Sequence, residues 1–195
     1  MKLFIGTTNS GKLAHYRQFL SGSGIEIITP NDLNIAGQPE ETADTVEGNA
    51  ILKAKFYFQK SRLPTLCDDA GFEIPALGNW PGTHAHRING QEAGDREIID
   101  AITARMKNLT GEDRRARMRV VLALATPDGK IRTASGEISG LVPAQHYDKL
   151  MPRFPYRSLL FLPELNKWFY DLTEAEENKL GYRRAALEKI KSYLF

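Results

Sequence analysis

The chain has 195 residues, of which 42% are hydrophobic and 26% charged, and its formal net charge is +2. This composition predicts a single domain over residues 1–195, and the small net charge gives no electrostatic basis for binding nucleic acid or a membrane. The lone Cys67 excludes an intrachain disulfide and a cysteine-rich zinc site. No apolar run is long enough for a signal peptide or a membrane span, so we expect a soluble, cytoplasmic protein.

The N-terminal region reads as a strand, a polar loop and a helix. Residues 3–7 form an apolar run, and apolar side chains at helical spacing follow from Leu13 to Leu20. The loop holds the candidate phosphate-binding residues Thr7, Thr8, Asn9, Ser10, Gly11 and Lys12. Hydroxyls, N–H groups and an ammonium at a helix N-terminus suit a phosphate, although the spacing is not that of a Walker A loop. An ordinary capped helix start explains the same pattern, and both interpretations stay open.

An acidic segment precedes the second predicted helix. After a short strand at residues 25–29, the polar stretch to residue 45 contains Glu40 and Glu41. Asp44 with Glu47 three residues later resembles a capping box, so we predict a helix through residues 49–58. Lys53 lies well inside this helix, where a lysine usually faces solvent.

Two adjacent aspartates follow the third predicted strand. The apolar run at residues 64–67 leads directly into Asp68 and Asp69, and then into Ala70 and Gly71. An acid at the C-terminal end of a buried strand is typical of a metal or ligand site in an α/β sheet. A turn that closes a hairpin is the alternative, because Asp-Asp-Ala-Gly is also turn chemistry.

The middle of the chain contains two motifs with competing interpretations. His84 and His86 fit either weak metal ligands or a polar loop. The basic run at residues 114–119 suggests a nucleic-acid patch, but its alternation of apolar and polar residues favours a strand. Residues 126–130 have the chemistry of a hairpin turn, with a return strand at 131–138.

Helices and strands alternate through the remainder of the chain. A helix begins near Gly94, a buried strand is predicted at residues 159–162, and Thr173 with Glu176 forms a capping box for a helix that ends near Gly181. A last helix buries Ala186, Leu187, Ile190 and Leu194. Together with the hairpin, this order predicts an α/β fold with a mixed sheet.

Several segments, taken in order, resemble one family, the inosine triphosphate pyrophosphatases, which hydrolyse non-canonical purine nucleoside triphosphates. Residues 7–12 are similar to its T-x-N-x-x-K loop, and residues 40–42 with 49–54 are similar to its acidic loop and following helix. Residues 68–72, 76–78 and 81–82 resemble its D-D-[ST]-G-L…A-L-G-x-x-P-G signature. Residues 154–157 and 181–183 stand where it has F-G-[YW]-D and S-H-R.

The resemblance implies an elongated mixed β-sheet with flanking helices, two lobes around a central cleft, and a homodimer. It implies Mg²⁺-dependent hydrolysis of a nucleoside triphosphate to the monophosphate and pyrophosphate. The implied metal ligands are Glu41, Asp69 and Glu40. The implied catalytic residues are Asp69 and Asp68, of which Asp69 positions or deprotonates the attacking water. The implied phosphate ligands are residues 7–12 and Lys53. Catalysis of phosphoryl transfer depends mostly on positioning and charge stabilisation, so the residues named here are sufficient for the reaction.

The departures from the family pattern cluster at the positions that surround its nucleobase. Arg157 replaces an Asp, Tyr182 a His, Glu177 a Lys and Ala70 a hydroxyl residue. The candidate nucleobase-binding residues are therefore Ala70, Phe154, Tyr156, Arg157, Glu177, Tyr182 and Arg183. Exchanging Asp for Arg and Lys for Glu inverts two charges. Arg157 and Glu177 then either form an ion pair of reversed order or present a new set of hydrogen-bond donors to the nucleobase. We hypothesise an altered base specificity, with drift in a redundant copy as the alternative.

Three other classes compete with this interpretation. A catalytically impaired homologue that only binds nucleotides has the same motifs, a nucleic-acid module would use residues 114–119, and a pyrophosphatase of the septum-inhibitor type would act on dTTP or UTP. The ordered set of motifs favours the inosine triphosphate family over the septum-inhibitor type, and no stacking motif or basic stripe accompanies residues 114–119 to support a nucleic-acid module. The homologue that only binds nucleotides stays open.

Overall fold

An eight-stranded mixed sheet organises the computed structural model, which describes residues 1–84, 87–88, 91–152 and 154–194. The strands are β1 (Lys2–Ile5), β2 (Glu26–Ile28), β3 (Thr65–Ile74), β4 (Trp80–Gly82), β5 (Arg87–Ile88), β6 (Gln91–Glu92), β7 (Arg115–Ala125), β8 (Ile131–Leu141), β9 (Phe161–Leu162) and β10 (Lys167–Trp168). The α-helices are α1 (Ser10–Phe19), α2 (Val46–Ser61), α3 (Asp95–Arg105), α4 (Glu174–Leu180) and α5 (Tyr182–Lys191). His86 lies outside the described residues.

Both strand directions occur in the sheet, whose order is β10-β9-β8-β7-β3-β1-β2 with β4 also paired to β3. β1 runs parallel to β2 and β3, whereas β4, β9 and β10 pair with their neighbours in antiparallel fashion. β5 and β6 form a separate two-stranded sheet. The predicted mixed α/β fold is therefore confirmed.

β3 is longer than predicted, and the turn interpretation of Asp68-Asp69-Ala70-Gly71 is wrong. The strand continues to Ile74 because Phe72 and Ile74, both fully buried, extend its apolar pattern past the glycine. β1 pairs with β3 only as far as Leu66, and β4 pairs from Phe72 onwards. The two aspartates therefore lie within a continuous strand, just beyond the end of its parallel partner.

The chain forms two compact units, which correspond to the two predicted lobes. Unit 1 comprises Met1–Asp69, Val120–Gly136 and the segment from Arg183; unit 2 comprises Ala70–Arg119 and Glu137–Tyr182. Each has its own hydrophobic cluster, built around α2 and β7 in unit 1 and around α3, Tyr156 and Leu160 in unit 2. The elongated outline, the cleft and the single-domain organisation stay predictions.

Most helix boundaries follow the predicted caps, with one exception. Thr173 and Glu176 form the capping box of α4, and Gly181 ends that helix in the left-handed conformation. α2 is capped by Thr45 rather than by Asp44, because the Thr45 hydroxyl accepts the Gly48 N–H at 3.0 Å. The predicted strand at residues 159–162 is also too long, since only Phe161–Leu162 pairs.

Residues 115–119 of the basic run open β7, as the alternation predicted, whereas Arg114 ends a short 3₁₀ helix before it. Arg117 donates to Glu73 at 2.7 Å and to Glu137 at 3.1 Å, and Arg119 lies 3.6 Å from Glu73. These arginines neutralise carboxylates of the same unit, which explains why a sheet tolerates them. In the described ranges, no helix has the length and apolar character that a membrane span requires.

Gly6 is enclosed so closely that we expect Gly6→Ala to destabilise the protein by about 1–3 kcal/mol through overpacking. A Cβ at this position would lie 2.6 Å from Cδ2 of Tyr57 and closer still to Sγ of Cys67. Urea denaturation of the variant measures the loss. Cys67→Ala removes the sulfur, so in a double-mutant cycle it should recover part of the loss. A strictly additive cycle would contradict the assigned clash.

Candidate active site

The loop between β1 and α1 is organised by its own side chains. Asn9 caps α1, and its Oδ1 accepts the N–H of Lys12 at 3.0 Å. The Thr7 hydroxyl accepts the Asn9 N–H at 3.2 Å, and Gln38 donates to the Thr8 hydroxyl at 3.0 Å. Ser10 and Gly11 open the helix and are exposed. The helix start is thus capped in the ordinary way, while its first turn still presents N–H groups that have no partner within the helix.

Lys53 joins the acidic loop to β3. Its ammonium lies 2.6 Å from Glu41 Oε1 and 2.8 Å from Asp69 Oδ1, and its side chain is only 15% exposed. The expectation of a solvated helix lysine is therefore wrong, because α2 turns Lys53 towards two carboxylates. The side-chain amide oxygen of fully buried Asn49 accepts the Ala43 N–H at 2.9 Å, which ties the acidic loop to the same helix.

The pKa values of this group follow from burial and pairing. Burial by itself would lower the pKa of Lys53, but Asp69 and Glu41 outweigh burial and raise it. Burial raises the pKa of Asp69; Lys53 opposes this rise, and the neighbouring charge of Glu41 adds to it. A carboxylate with a raised pKa is a better proton acceptor than an ordinary aspartate, which suits a general base.

Asp68 faces the opposite side of β3 and has different partners. Its Oδ2 lies 3.0 Å from Lys12 Nζ and 3.1 Å from Arg183 Nη1, and its side chain is 2% exposed. Burial by itself would raise the pKa of Asp68, but Lys12 and Arg183 outweigh burial and lower it. The adjacent aspartates therefore carry different chemistry: Asp68 is a paired counter-ion, and Asp69 is the more basic carboxylate.

Glu40 stands apart from the other predicted metal ligands. It is exposed and forms no ion pair with any side chain in the described ranges. Within the part of the chain that the structure describes, no cluster of three or more histidine, cysteine or carboxylate side chains is arranged to hold a metal ion. Exposed His84 belongs to no such cluster among the described residues. The structure therefore brings together only Glu41 and Asp69, through Lys53.

In unit 2, the two inverted charges form the ion pair that their exchange suggested. Arg157 Nη1 donates to Glu177 Oε1 at 2.7 Å, and the guanidinium lies 4.5 Å from the ring centre of Phe169. Arg157 Nε is buried and has no hydrogen-bond partner in the described residues. The pair thus fixes the guanidinium while leaving one donor unused.

The remaining candidate nucleobase residues are distributed between core and surface. Tyr156 is buried and stacks on Phe72, with ring centres 4.7 Å apart. Phe154 is 56% exposed, Ala70 is half-buried within β3, and half-buried Tyr182 packs against the core of unit 2.

Arg183, predicted among the base-reading residues, lies in unit 1 with the predicted phosphate ligands, because it pairs with Asp68. Sequence reasoning missed Tyr16, which is buried and whose pKa is raised well above its usual range by burial and by the neighbouring charge of Asp68. A single tyrosine on the buried face of a helix carries no sequence signal of this proximity.

The chain is similar to characterised proteins over its full length. The model of the Ham1 family matches residues 3–193. A dITP/XTP pyrophosphatase from Haemophilus influenzae is 35% identical, with 99% of this chain and 98% of that protein covered. One from Thermus thermophilus is 34% identical, with 97% and 90% covered.

Solved structures show the same fold. The Ham1 protein of Staphylococcus aureus superposes with a TM-score of 0.87 at 26% identity, covering 100% of this chain and 98% of its own. A HAM1 protein from Coxiella burnetii gives a TM-score of 0.88 at 27% identity with the same coverage.

Proposed function

The chain belongs to the Ham1 family, and on this premise we propose that it hydrolyses a nucleoside triphosphate to the monophosphate and pyrophosphate. The observation that carries the proposal is the contact of one buried ammonium, Lys53 Nζ, with both Glu41 and Asp69. A basic carboxylate beside a cation is the combination that attack of water on a phosphoanhydride requires.

We propose that Asp69 activates the attacking water. The water oxygen bonds to the α-phosphorus as the bond from that phosphorus to the bridging oxygen breaks, and pyrophosphate leaves. Asp69 accepts the proton that the water loses. The raised pKa of Asp69 supports this role, because burial makes the carboxylate a stronger base.

Lys12, Lys53 and the hydroxyls and N–H groups of residues 7–11 would hold the triphosphate chain. Lys12 lies at the exposed first turn of α1, where the helix dipole also favours an anion. Binding of this kind lowers the barrier by fixing the reacting atoms and neutralising the developing charge.

The donor set fits Mg²⁺, which prefers oxygen ligands and takes one or two protein carboxylates together with substrate phosphates. Glu41 and Asp69 are two carboxylates that already share one cation, Lys53, at 2.6 and 2.8 Å. We propose that these two residues, with Glu40 as a further ligand, hold the ion. When bound, Mg²⁺ would neutralise charge on the triphosphate.

The relatives named dITP/XTP pyrophosphatase support a role in removing non-canonical purine nucleotides from the nucleotide pool. We extend this role to the present chain, as a homodimer in the cytoplasm. Light scattering of the purified protein tests the dimer: a monomeric mass across the micromolar range would contradict it.

The test of the proposed function is pyrophosphate release from a nucleotide panel. The panel contains ITP, dITP, XTP and the canonical ribo- and deoxyribonucleoside triphosphates, each assayed with Mg²⁺ and with excess EDTA. We expect release from at least one nucleotide, abolished by EDTA. Release from none of them would refute the function, and release that survives EDTA would refute the metal assignment.

A second candidate function is the same reaction with an altered base preference. The Arg157–Glu177 pair favours it, because the charges are opposite to those of the family pattern and a donor on Arg157 is unused. A pocket discriminates bases through its buried donors and acceptors, and a mispaired group costs about 1–3 kcal/mol. Strong, selective turnover of ITP and XTP by the wild-type protein would overturn this candidate.

Reversing the pair tests its role directly. We expect Arg157→Asp combined with Glu177→Lys to raise kcat/KM for ITP and XTP about 10-fold relative to the canonical nucleotides, because it restores the family's charge order. Each single reversal opposes like charges and should lower kcat/KM for every accepted nucleotide. Arg184→Glu with Glu188→Arg reverses an exposed pair on α5 and serves as the control. An unchanged preference in the first double variant would assign the pair a purely structural role.

A further inference from the structure

We propose that Asn49 is a positioning residue for metal binding, because it fixes the backbone of the loop that carries Glu41. The inference rests on the proposed function, which makes Glu41 a ligand of Mg²⁺, and it adds a residue that the proposed function does not use. Asn49 is fully buried and lies near the start of α2, which begins at Val46. The residues that carry the inference all belong to unit 1.

Residues 36–44, which we call the Glu41 loop, have little support from their own backbone. The loop contains no helix or strand, and in the described ranges no backbone-to-backbone hydrogen bond involves it. Two side chains bond to its backbone instead. Asn49 Oδ1 accepts the Ala43 N–H at 2.9 Å, and Lys60 Nζ donates to a carbonyl at the start of the loop at 3.3 Å. The bond to Lys60 is exposed, whereas Asn49 is shielded from water, which strengthens its bond.

Asn49 and Lys53 contact the Glu41 loop from successive turns of one helix. They are four residues apart, so their side chains lie on the same face of α2. Asn49 bonds to the backbone of Ala43, and Lys53 Nζ lies 2.6 Å from the Glu41 carboxylate and 2.8 Å from that of Asp69. The backbone bond therefore fixes the chain two residues beyond Glu41, in the place from which its carboxylate reaches the ammonium that Asp69 shares.

Gly48 allows the Glu41 loop to approach α2 closely. A Cβ at position 48 would lie 2.6 Å from Cβ of Ala43, which is too close for two carbon atoms, and 3.1 Å from the Thr45 hydroxyl. Without a side chain at this position, Ala43 comes near enough to the helix for Asn49 to accept its N–H. Gly48 and Asn49 thus act on the same contact.

The Asn49 amide is used on its oxygen side. Its Nδ2 is buried and has no hydrogen-bond partner in the described residues. A buried donor without an acceptor is costly, and an apolar side chain of the same size would avoid that cost. Among the described residues, the bond that the amide does make is the one from the Ala43 N–H to its oxygen. Holding the Glu41 loop is therefore what distinguishes asparagine from leucine at this position.

Without the acceptor, the Glu41 loop would keep the contact with Lys53 but lose its buried backbone bond. The loop would then adopt further conformations, in many of which Glu41 and Asp69 lie apart. An ion that needs both carboxylates would have to order the loop as it binds, and the lost conformational freedom lowers the affinity.

The test compares Asn49→Leu with Thr65→Val. Leucine is similar in size to asparagine but accepts no hydrogen bond. Thr65 is fully buried in unit 1 and its hydroxyl donates to the Leu63 carbonyl at 2.8 Å, so its substitution also removes a buried bond between side chain and backbone. The probe is Mn²⁺ without nucleotide, whose free concentration electron paramagnetic resonance measures. We expect Asn49→Leu to weaken Mn²⁺ binding about 10-fold, the lower limit for residues that support a metal ligand, and Thr65→Val to leave it within about 2-fold.

Two further substitutions separate the acceptor from general damage. Asn49→Asp keeps the acceptor oxygen, so its Mn²⁺ affinity should stay within about 3-fold of wild type. Gly48→Ala keeps the acceptor but displaces Ala43, so it should weaken Mn²⁺ binding as Asn49→Leu does. In the double variant the two losses, expressed as free energies, should be less than additive. Equal losses in the two Asn49 variants, or additive losses in the double variant, would overturn the proposal.

The Mg²⁺ dependence of the reaction provides a second readout. With the best nucleotide of the panel, Asn49→Leu should raise the Mg²⁺ concentration for half-maximal rate about 10-fold. Saturating Mg²⁺ should restore the rate to within about 3-fold of wild type, because Asp69 is untouched. A rate that stays low at every Mg²⁺ concentration would assign Asn49 a merely structural role and overturn the proposal.

A measurement on the wild-type protein covers the case that the Asn49 variants fail to fold. The Ala43 N–H should exchange with solvent about 10-fold more slowly than that of Thr42, once their intrinsic rates are taken into account. Thr42 is exposed, and its N–H has no hydrogen-bond partner in the described residues. Equal protection of the two amides in NMR hydrogen exchange would refute the inference.

The outcomes for the two proposals are distinguishable. Mn²⁺ binding that depends on Asn49, without nucleotide hydrolysis, would refute the proposed function and keep this inference. Hydrolysis by a protein that binds no Mn²⁺, or whose Mn²⁺ binding ignores Asn49, would do the reverse.

Discussion

Asp69→Asn is expected to slow pyrophosphate release by about 10²–10⁴-fold, the usual contribution of a general base, while nucleotide binding persists. The amide keeps the shape of the side chain but cannot accept the proton of the attacking water. It also removes one of the two negative charges on Lys53, which lies 2.8 Å from Asp69 Oδ1. Single-turnover pyrophosphate release and the dissociation constant of a non-hydrolysable triphosphate analogue measure the two effects separately.

The matched control is Asp44→Asn, which makes the same chemical change at an exposed position of unit 1. This variant should release pyrophosphate at the wild-type rate. If Asp69→Asn does so too, Asp69 is not the base. If wild type and Asp69→Asn both bind triphosphates and neither releases pyrophosphate, the chain is a nucleotide-binding homologue without catalysis.

Arg114→Met is expected to destabilise the protein by about 2–4 kcal/mol, because it removes several charge-assisted hydrogen bonds at once. The Arg114 guanidinium donates to backbone carbonyls that follow α3 and β8. The accepting carbonyls belong to Val142 (2.6 Å), Met106 (2.8 Å), Pro143 (2.9 Å) and Leu109 (3.1 Å). Methionine fills a similar volume but donates to none of these carbonyls.

Urea denaturation of Arg114→Met against Arg115→Met checks this expectation. Arg115 is exposed and pairs with exposed Glu112, so its replacement should change the free energy of unfolding by less than about 1 kcal/mol. Similar losses in the two variants would show that the carbonyl contacts of Arg114 contribute little. Neither substitution touches the candidate active site, so pyrophosphate affinity serves as a check that both variants are folded.

Much of the fold follows from local sequence signals. Thr173 and Glu176 predict the start of α4, Gly181 predicts its end, and the spacing of Ile98, Ile99 and Ile102 predicts the buried face of α3. These signals succeed because capping and helical periodicity depend on neighbours within one or two turns.

The errors arise where distant partners decide the conformation. Gly71 looks like a turn residue, yet β4 pairs with β3 from Phe72 and keeps the chain extended. Strands of two residues, such as β9 and β10, are too short to show a period of two. Such elements form because of their neighbours in the sheet, and a local pattern does not contain that information.

In the candidate site, too, some features are predictable from the sequence and others depend on distant partners. The motifs identify Lys53, Glu41 and Asp69 by resemblance, but only the structure brings the three charges into contact. The Arg157–Glu177 pair is one of the two outcomes that the exchanged charges predict, because both exchanges are visible in the sequence. The ion pair of Arg183 with Asp68 joins residues far apart in the chain, and only the structure reveals it.

The interleaved construction of the two units has a consequence for how the protein is made. Unit 1 contains the start of the chain, the tip of the β7–β8 hairpin and α5, whose Leu187 and Ile190 are buried. A ribosome that synthesises the chain from its N-terminus therefore delivers Lys12 and Asp68 well before Arg183, the second cation that pairs with Asp68. Until that helix emerges, the core of unit 1 is incomplete and Asp68 has one cation instead of two. We infer that the phosphate-binding charges assume their final arrangement only after nearly all of the chain has been synthesised.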